Sequence, residues 1–157
     1  SRKRPSALLR CWSAVGTEAL DRARYPLGTP TMNLEWVPRQ PDGEYARHTV
    51  LHEFGSALGL ANEHQSSNCP IEWNADEVIR DLTGPPNNFT REAVIDLFRK
   101  YRFDGPPDYR PFDPLSVMMW PIAASWTVDG RTFAPQAELS EGDKQFIARL
   151  YPRGGPA

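Results

Sequence analysis

Cysteine, histidine and an excess of charge of one sign are all scarce in this chain of 157 residues. It holds two cysteines and three histidines, and 18 basic against 20 acidic residues leave a formal net charge of −2. Two cysteines are too few for a disulfide scaffold or a cysteine-built zinc module. Cys11 and Cys69 either form one bridge in an oxidising compartment or stand as two buried thiols. The near balance of charge excludes the basic face of a nucleic-acid binder and gives no attraction to an anionic membrane surface. No apolar run approaches the ~20 residues of a membrane helix, and neither repeats nor low-complexity tracts are present. The basic start SRKRPSALLR lacks the apolar core of a secretory signal. A processed chain would read the same, so cytoplasmic and secreted locations both stay open.

What is present suffices for one compact domain and not for two. Sixteen prolines and eleven glycines mark its joints. Residues 6–12 (SALLRCW) read as a short strand, and 31–37 (TMNLEWV) alternate Met32, Leu34 and Trp36 with polar neighbours, the period of a half-buried strand. Pro30 and Pro38 bracket this second strand, which places it at a sheet edge. The strongest helix covers 44–60, with Val50, Phe54, Ala57 and Ala61 on one predicted buried face beside Leu51 and Leu58, and Gly59 at its end. Further helices are expected at 74–81, capped by Asn74 with Glu77, and at 90–101, on Val94, Leu97 and Phe98. Residues 102–114 should be irregular and 116–121 a tight turn. A last helix opens at Ser140 with Asp143 in the reciprocal capping position, buries Phe146, Ile147 and Leu150, and stops at Pro152. The fold class is α+β, with helices dominant.

One segment carries most of the chemistry: His52-Glu53-Phe54-Gly55-Ser56-Ala57-Leu58-Gly59-Leu60-Ala61-Asn62-Glu63-His64. A catalytic zinc helix needs two histidines four apart and a glutamate beside the first to take a proton from metal-bound water. In the elongated form a glycine breaks the helix so that a third histidine can complete the site. Here His52, Glu53 and Gly59 stand in register, while Ser56 and Asn62 occupy the second and third ligand positions.

With this spacing and the later Ser116-Val117-Met118 turn, the chain resembles a metzincin, close to the astacin-like branch. CWSAVGTEAL, PTMNLEWV, IEWN, GPPNNFTRE, FRKY, FDPLSVMMWP and LSEGDKQFIARLYP extend the similarity over most of the chain. The resemblance implies a zincin domain, a small mixed sheet on a long active-site helix. Residues 1–61 would form its upper part and 62–157 its lower part, with the helix and first strands that usually precede residue 6 missing. It matches His52 to the first zinc ligand, Glu53 to the general base and Met118 to the methionine packed beneath the metal. Ser56, Asn62 and Trp120 stand where the branch has two histidines and a tyrosine.

Two departures at ligand positions and one beside them imply a protein without zinc or other cofactor, no longer able to hydrolyse peptides. His48 and His52 share a helix face, so a two-imidazole site is geometrically open, and an improvised centre of His48, His52 and His64 would need a rearranged loop to bring in His64. Otherwise His48 caps or pairs near the helix start, and His64 bonds backbone in its loop. Ser56 at i+4 from His52 could serve as a nucleophile or could bond the carbonyl one turn back. Glu53, without a dication to hold it ionised, should have a raised pKa and could transfer protons with His52 as its neighbour. The alternative leaves Glu53 solvated or bonded to Asn62 or His52. Ser56, Asn62, Trp120, Met119 and Trp36 would shape the ligand pocket, Trp36 through a strand edge able to pair with a peptide.

Four functions follow. The preferred one is metal-independent acid–base chemistry on a small molecule: cyclisation, isomerisation, elimination or a pericyclic step. The others are a silent pseudopeptidase that binds a peptide or protein, a residual zinc peptidase, and a ligand-knockout form of an active one. A homodimer could cover apolar surface left by the missing helix.

Overall fold

The computed structural model describes residues 11–39, 41–85, 87–99 and 111–153. β1 (Cys11–Ser13) and β2 (Met32–Leu34) pair antiparallel, with Cys11 opposite Leu34 and Ser13 opposite Met32. Residues 6–10 of the expected first strand lie outside the described residues. β2 is shorter than its alternating pattern: Glu35 and Trp36 turn away, and Val37–Arg39 forms one 3-10 turn. Pro38 in that turn has no N–H to give to a ladder.

α1 (Glu44–Ala57) packs on the sheet. Its end is a Schellman motif, in which Gly59 N–H donates to Ser56 O at 2.9 Å and Leu60 N–H to Gly55 O at 3.0 Å. Gly59 takes φ +96°, the left-handed geometry that this cap requires. The face that α1 buries is not the apolar one. Ala46, His48, Thr49, His52, Glu53, Gly55 and Ser56 are buried, whereas Phe54 is 51% exposed and Ala57 is exposed. β1 and the 116–121 turn sit against the polar side of the helix, so neighbouring elements and not the apolar stripe decide what is covered.

The lower part is built from α2 (Ala75–Thr83), α3 (Arg91–Phe98) and α4 (Glu141–Leu150). Val78, Leu82, Phe89, Val94, Met119 and Trp126 make its core, together with Cys69. Cys11 and Cys69 are both buried and are not bridged to each other. Asn74 precedes α2, but its side chain caps nothing; its backbone N–H is taken by Trp126 O at 2.9 Å. α3 begins as expected, with Thr90 accepting from Ala93 N–H, and ends at Phe98. No helix among the described residues is long and apolar enough to cross a membrane.

α4 carries the expected capping box between Ser140 and Asp143. Its apolar residues are less covered than the periodicity predicts: Phe146 and Ile147 are half-buried and Leu150 is 46% exposed. The residue that α4 buries is Asp143. One carboxylate oxygen accepts from Ser116 Oγ at 2.7 Å; the other accepts from Val117 N–H at 2.9 Å and Ser140 N–H at 3.0 Å. Ser116 Oγ in turn accepts from Met118 N–H at 3.0 Å. This clamp presses Met118 beneath α1, where a Cβ at Gly55 would lie 2.6 Å from the Met118 sulfur.

Asp143→Ala leaves three buried or half-buried donors without their acceptor. It should lower the stability measured by urea unfolding by about 3 kcal/mol. Exposed Lys144→Ala, one position along, should stay within about 0.5 kcal/mol. A loss below about 1 kcal/mol for Asp143→Ala would mean that the turn holds itself.

Candidate active-site cleft

A cleft of about 720 Å³ opens between β1, α1 and the segments below α1. Tyr45, His48, Thr49, His52, Glu53 and Ser56 line it from one helix face. Their spacing of three and four is the helical period. Asn62, Gln65 and Trp120 line it from the segments that follow.

His52 is fixed by the turn that Asp143 holds. Its Nδ1 lies 2.9 Å from Val117 O, and a carbonyl can only accept, so Nδ1 carries the proton. Burial pushes its pKa down from 6.5 to about 4, with the carbonyl bond working against that trend. The ring is therefore neutral near pH 7, and its contact with the Asn62 side chain also works against the downward shift. The same amide donates to Gln65 Oε1 at 2.9 Å, and Gln65 donates onward to Asp96 O at 3.3 Å.

Glu53, one residue along, is 9% exposed, and its carboxylate has no hydrogen bond to a described residue. Burial raises its pKa from 4.5 to about 7. Asn62 is engaged by His52 and Gln65, so the bonded alternative for Glu53 does not arise. The buried Cys11 thiol lines the cleft nearby and is raised too, by burial first and by the Glu53 charge among lesser causes.

The other two histidines point elsewhere. His48 Nδ1 meets the Gln136 backbone, 3.1 Å from its oxygen and 3.2 Å from its nitrogen, instead of capping α1. His64 is fully buried, and its Nε2 donates to Leu97 O at 3.1 Å. Trp120, Phe98 and Trp73 surround it at centroid distances of 5.0, 5.5 and 6.3 Å. Burial lowers its pKa to about 4. Ser56 is buried at the cleft wall, and no carbonyl one turn back takes its hydroxyl among the described residues.

Two expected pocket residues are elsewhere. Met119 is wholly buried in the lower core, and Trp36 has left β2 to rest on Tyr45 at 5.4 Å. Tyr45, Thr49 and Gln65 were missed, although the helical spacing of 45, 49, 52, 53 and 56 was a readable signal. Gln65 gave none, because its place depends on how the loop after Gly59 folds back.

This architecture is shared with solved metallopeptidases. Two structures of myroilysin match, one at 34% identity and a TM-score of 0.78, the other at 32% and 0.60. Each match covers 91% of this chain, but 68% and 61% of the respective myroilysin chains. High choriolytic enzyme 1, a hatching enzyme zinc-protease of the medaka fish Oryzias latipes, shares the fold at 20% identity and a TM-score of 0.54, over 90% of this chain and 64% of its own. No family profile and no curated sequence matches. The fold is that of a metzincin-like zincin. The chain belongs to the astacin-like metallopeptidases.

A zinc centre of that family's kind needs three protein ligands and an open position. At the corresponding positions this chain offers one imidazole, a neutral hydroxyl and an amide that donates to Gln65. Among the described residues no three His, Cys, Asp or Glu side chains are placed to hold a metal ion. This removes the His48, His52 and His64 centre as well: His48 is turned to Gln136 and His64 is sealed among rings. The donor set does not fit zinc.

Opposite pH dependences follow from the shifted groups. His52 and His64 have folded pKa values below their unfolded 6.5, so the unfolded chain binds more protons between about 4 and 6.5. Their contribution is complete above pH 6.5 and falls away toward pH 4. Glu53 is raised, so its contribution is complete below about 4.5 and is lost as pH passes 7. Glu53→Gln should therefore stabilise the protein at pH 8 by ~2 kcal/mol and leave it unchanged at pH 4, read as urea midpoints. An equal midpoint at pH 8 would show a well-solvated carboxyl.

Proposed function

We propose that this metallopeptidase-derived domain has lost peptide hydrolysis through zinc-bound water, and that its cleft carries out metal-independent acid–base chemistry on a small molecule. The observation that carries the reading is Glu53, a buried carboxyl without a hydrogen-bonding partner among the described residues, facing a cleft of small-molecule size. A carboxyl with pKa about 7 can give or take a proton at neutral pH, and groups shifted in this way cluster at functional sites. His52, locked in one tautomer by Val117 O, stands beside it on the same helix face and orients what Glu53 addresses. Cyclisation, isomerisation, elimination or an assisted pericyclic step each need one such proton transfer or hydrogen bond.

The degenerate ligand positions Ser56 and Asn62 support the reading, as does the 116–119 turn. There Met119 N–H donates to Ser116 O, and Met118 packs under α1 in the manner of a Met-turn. A silent peptide binder has less support. Its strand edge would be β2, which is three residues long and no longer carries Trp36.

Glu53→Gln should reduce turnover by roughly 10²–10⁴-fold, and chelator should change neither protein. Chelator-sensitive turnover would overturn the metal-free part; full activity in Glu53→Gln would remove Glu53 from the mechanism. In elemental analysis after dialysis, the double substitution Ser56→His with Asn62→His should gain one zinc per chain that the parent lacks. A parent retaining stoichiometric metal would overturn the reading.

A further inference from the structure

We infer that the cleft selects a cationic aromatic molecule, an arylalkyl amine, over the corresponding acid or phosphate ester. This inference rests on the reading of Glu53 as the reactive carboxyl and adds the substrate class.

Two features of the lining carry it. The first is the arrangement of rings. Tyr45, His48 and His52 follow one another along α1 with centroids 6.3 and 5.6 Å apart, tilted by 42° and 47°. Trp12 lines the cleft from β1 and Trp120 from the turn below. Rings from three elements around one opening favour a flat aromatic body, through offset stacking and through attraction of a nearby cation to ring faces.

The second feature is charge. Among the described lining residues, Glu18, Glu53 and Asp96 carry carboxyls and Arg24 carries the guanidinium; Glu18 is paired with Arg24 and Asp96 lies 4.0 Å from Arg99, which leaves Glu53 as the carboxyl without an ion-pair partner. Arg24 is already engaged, 3.3 Å from Glu18 and 5.5 Å from the Tyr25 ring centre. His48 and His52 do not supply a cation, since burial holds both imidazoles neutral near pH 7. An incoming carboxylate or phosphate would lose water without gaining a partner there. An ammonium meets the opposite situation, because the buried Glu53 carboxyl has no hydrogen-bond partner among the described residues and can accept from it. The amine then docks with its ammonium against Glu53 and its ring against the aromatic lining.

Three matched indoles test this on the full chain: tryptamine, tryptophol and indole-3-propionate, each titrated calorimetrically at pH 7. Tryptamine should bind about tenfold more tightly than tryptophol, the effect of one screened charge pair, and the propionate should bind weakest. In Glu53→Gln the amine and the alcohol should converge, and in the parent 1 M salt should narrow their difference. Propionate binding as tightly as tryptamine, no saturable binding of any of the three, or an undiminished amine preference in Glu53→Gln would each overturn the inference. Turnover that survives Glu53→Gln while that variant loses its amine preference would instead sink the acid–base reading and leave the ligand class standing.

Discussion

Asp143 is the constraint on which the cleft depends. Its carboxylate joins the start of α4 to Ser116 and Val117, and Val117 passes the constraint on by accepting the His52 proton at 2.9 Å. A buried acceptor with three donors is worth several times an exposed pair, because each donor would otherwise be desolvated without a partner. Through this chain of bonds a residue far along the sequence sets the tautomer of the imidazole on α1. The same clamp presents Met118 to Gly55, so the distance between helix and turn is set by a missing Cβ and a flexible thioether. The loop after Gly59 is tied to the same turn, since Glu63 N–H donates to Met118 O at 3.0 Å.

On this rigid floor the chain keeps groups that do not stabilise it. Two neutral histidines and a raised carboxyl are buried within one small domain, and each is shifted first of all by loss of water. His52 and His64 recover part of that loss through backbone carbonyls. Glu53 recovers nothing from the described residues, and its side chain opens on a cleft. An unfavourable carboxyl held on an over-determined scaffold is how functional sites commonly differ from cores.

Membership of the astacin-like metallopeptidases explains the scaffold and not the chemistry. The helix, its glycine cap and the turn beneath belong to a frame that elsewhere presents histidines to zinc. Here the positions that the resemblance matches to two of those histidines carry Ser56 and Asn62. Asn62 illustrates the change: its amide closes a chain from His52 through Gln65 to the α3 backbone. The matched myroilysin chains extend well beyond the region shared with this one, so what the whole of a longer protein would do does not transfer with the fold.

The motif spacing, the helix stop at Gly59, the capping box at Ser140 and Asp143, and the family itself were legible in the sequence, because each rests on local geometry or on fixed intervals along one helix. The buried side of α1 was not. Its apolar stripe through Phe54 and Ala57 predicted the wrong face, since periodicity reports which side is apolar and cannot say where β1 and the turn will lie. Trp36 and Met119 were misplaced for the same reason: a strand that ends three residues early and a turn that points one methionine inward move both away from the cleft. The sequence by itself determined which proton-bearing groups the helix carries and in what register. Only tertiary packing decided which of them lost water, which found a carbonyl and which were left facing open space, because desolvation depends on neighbours that lie far apart along the chain.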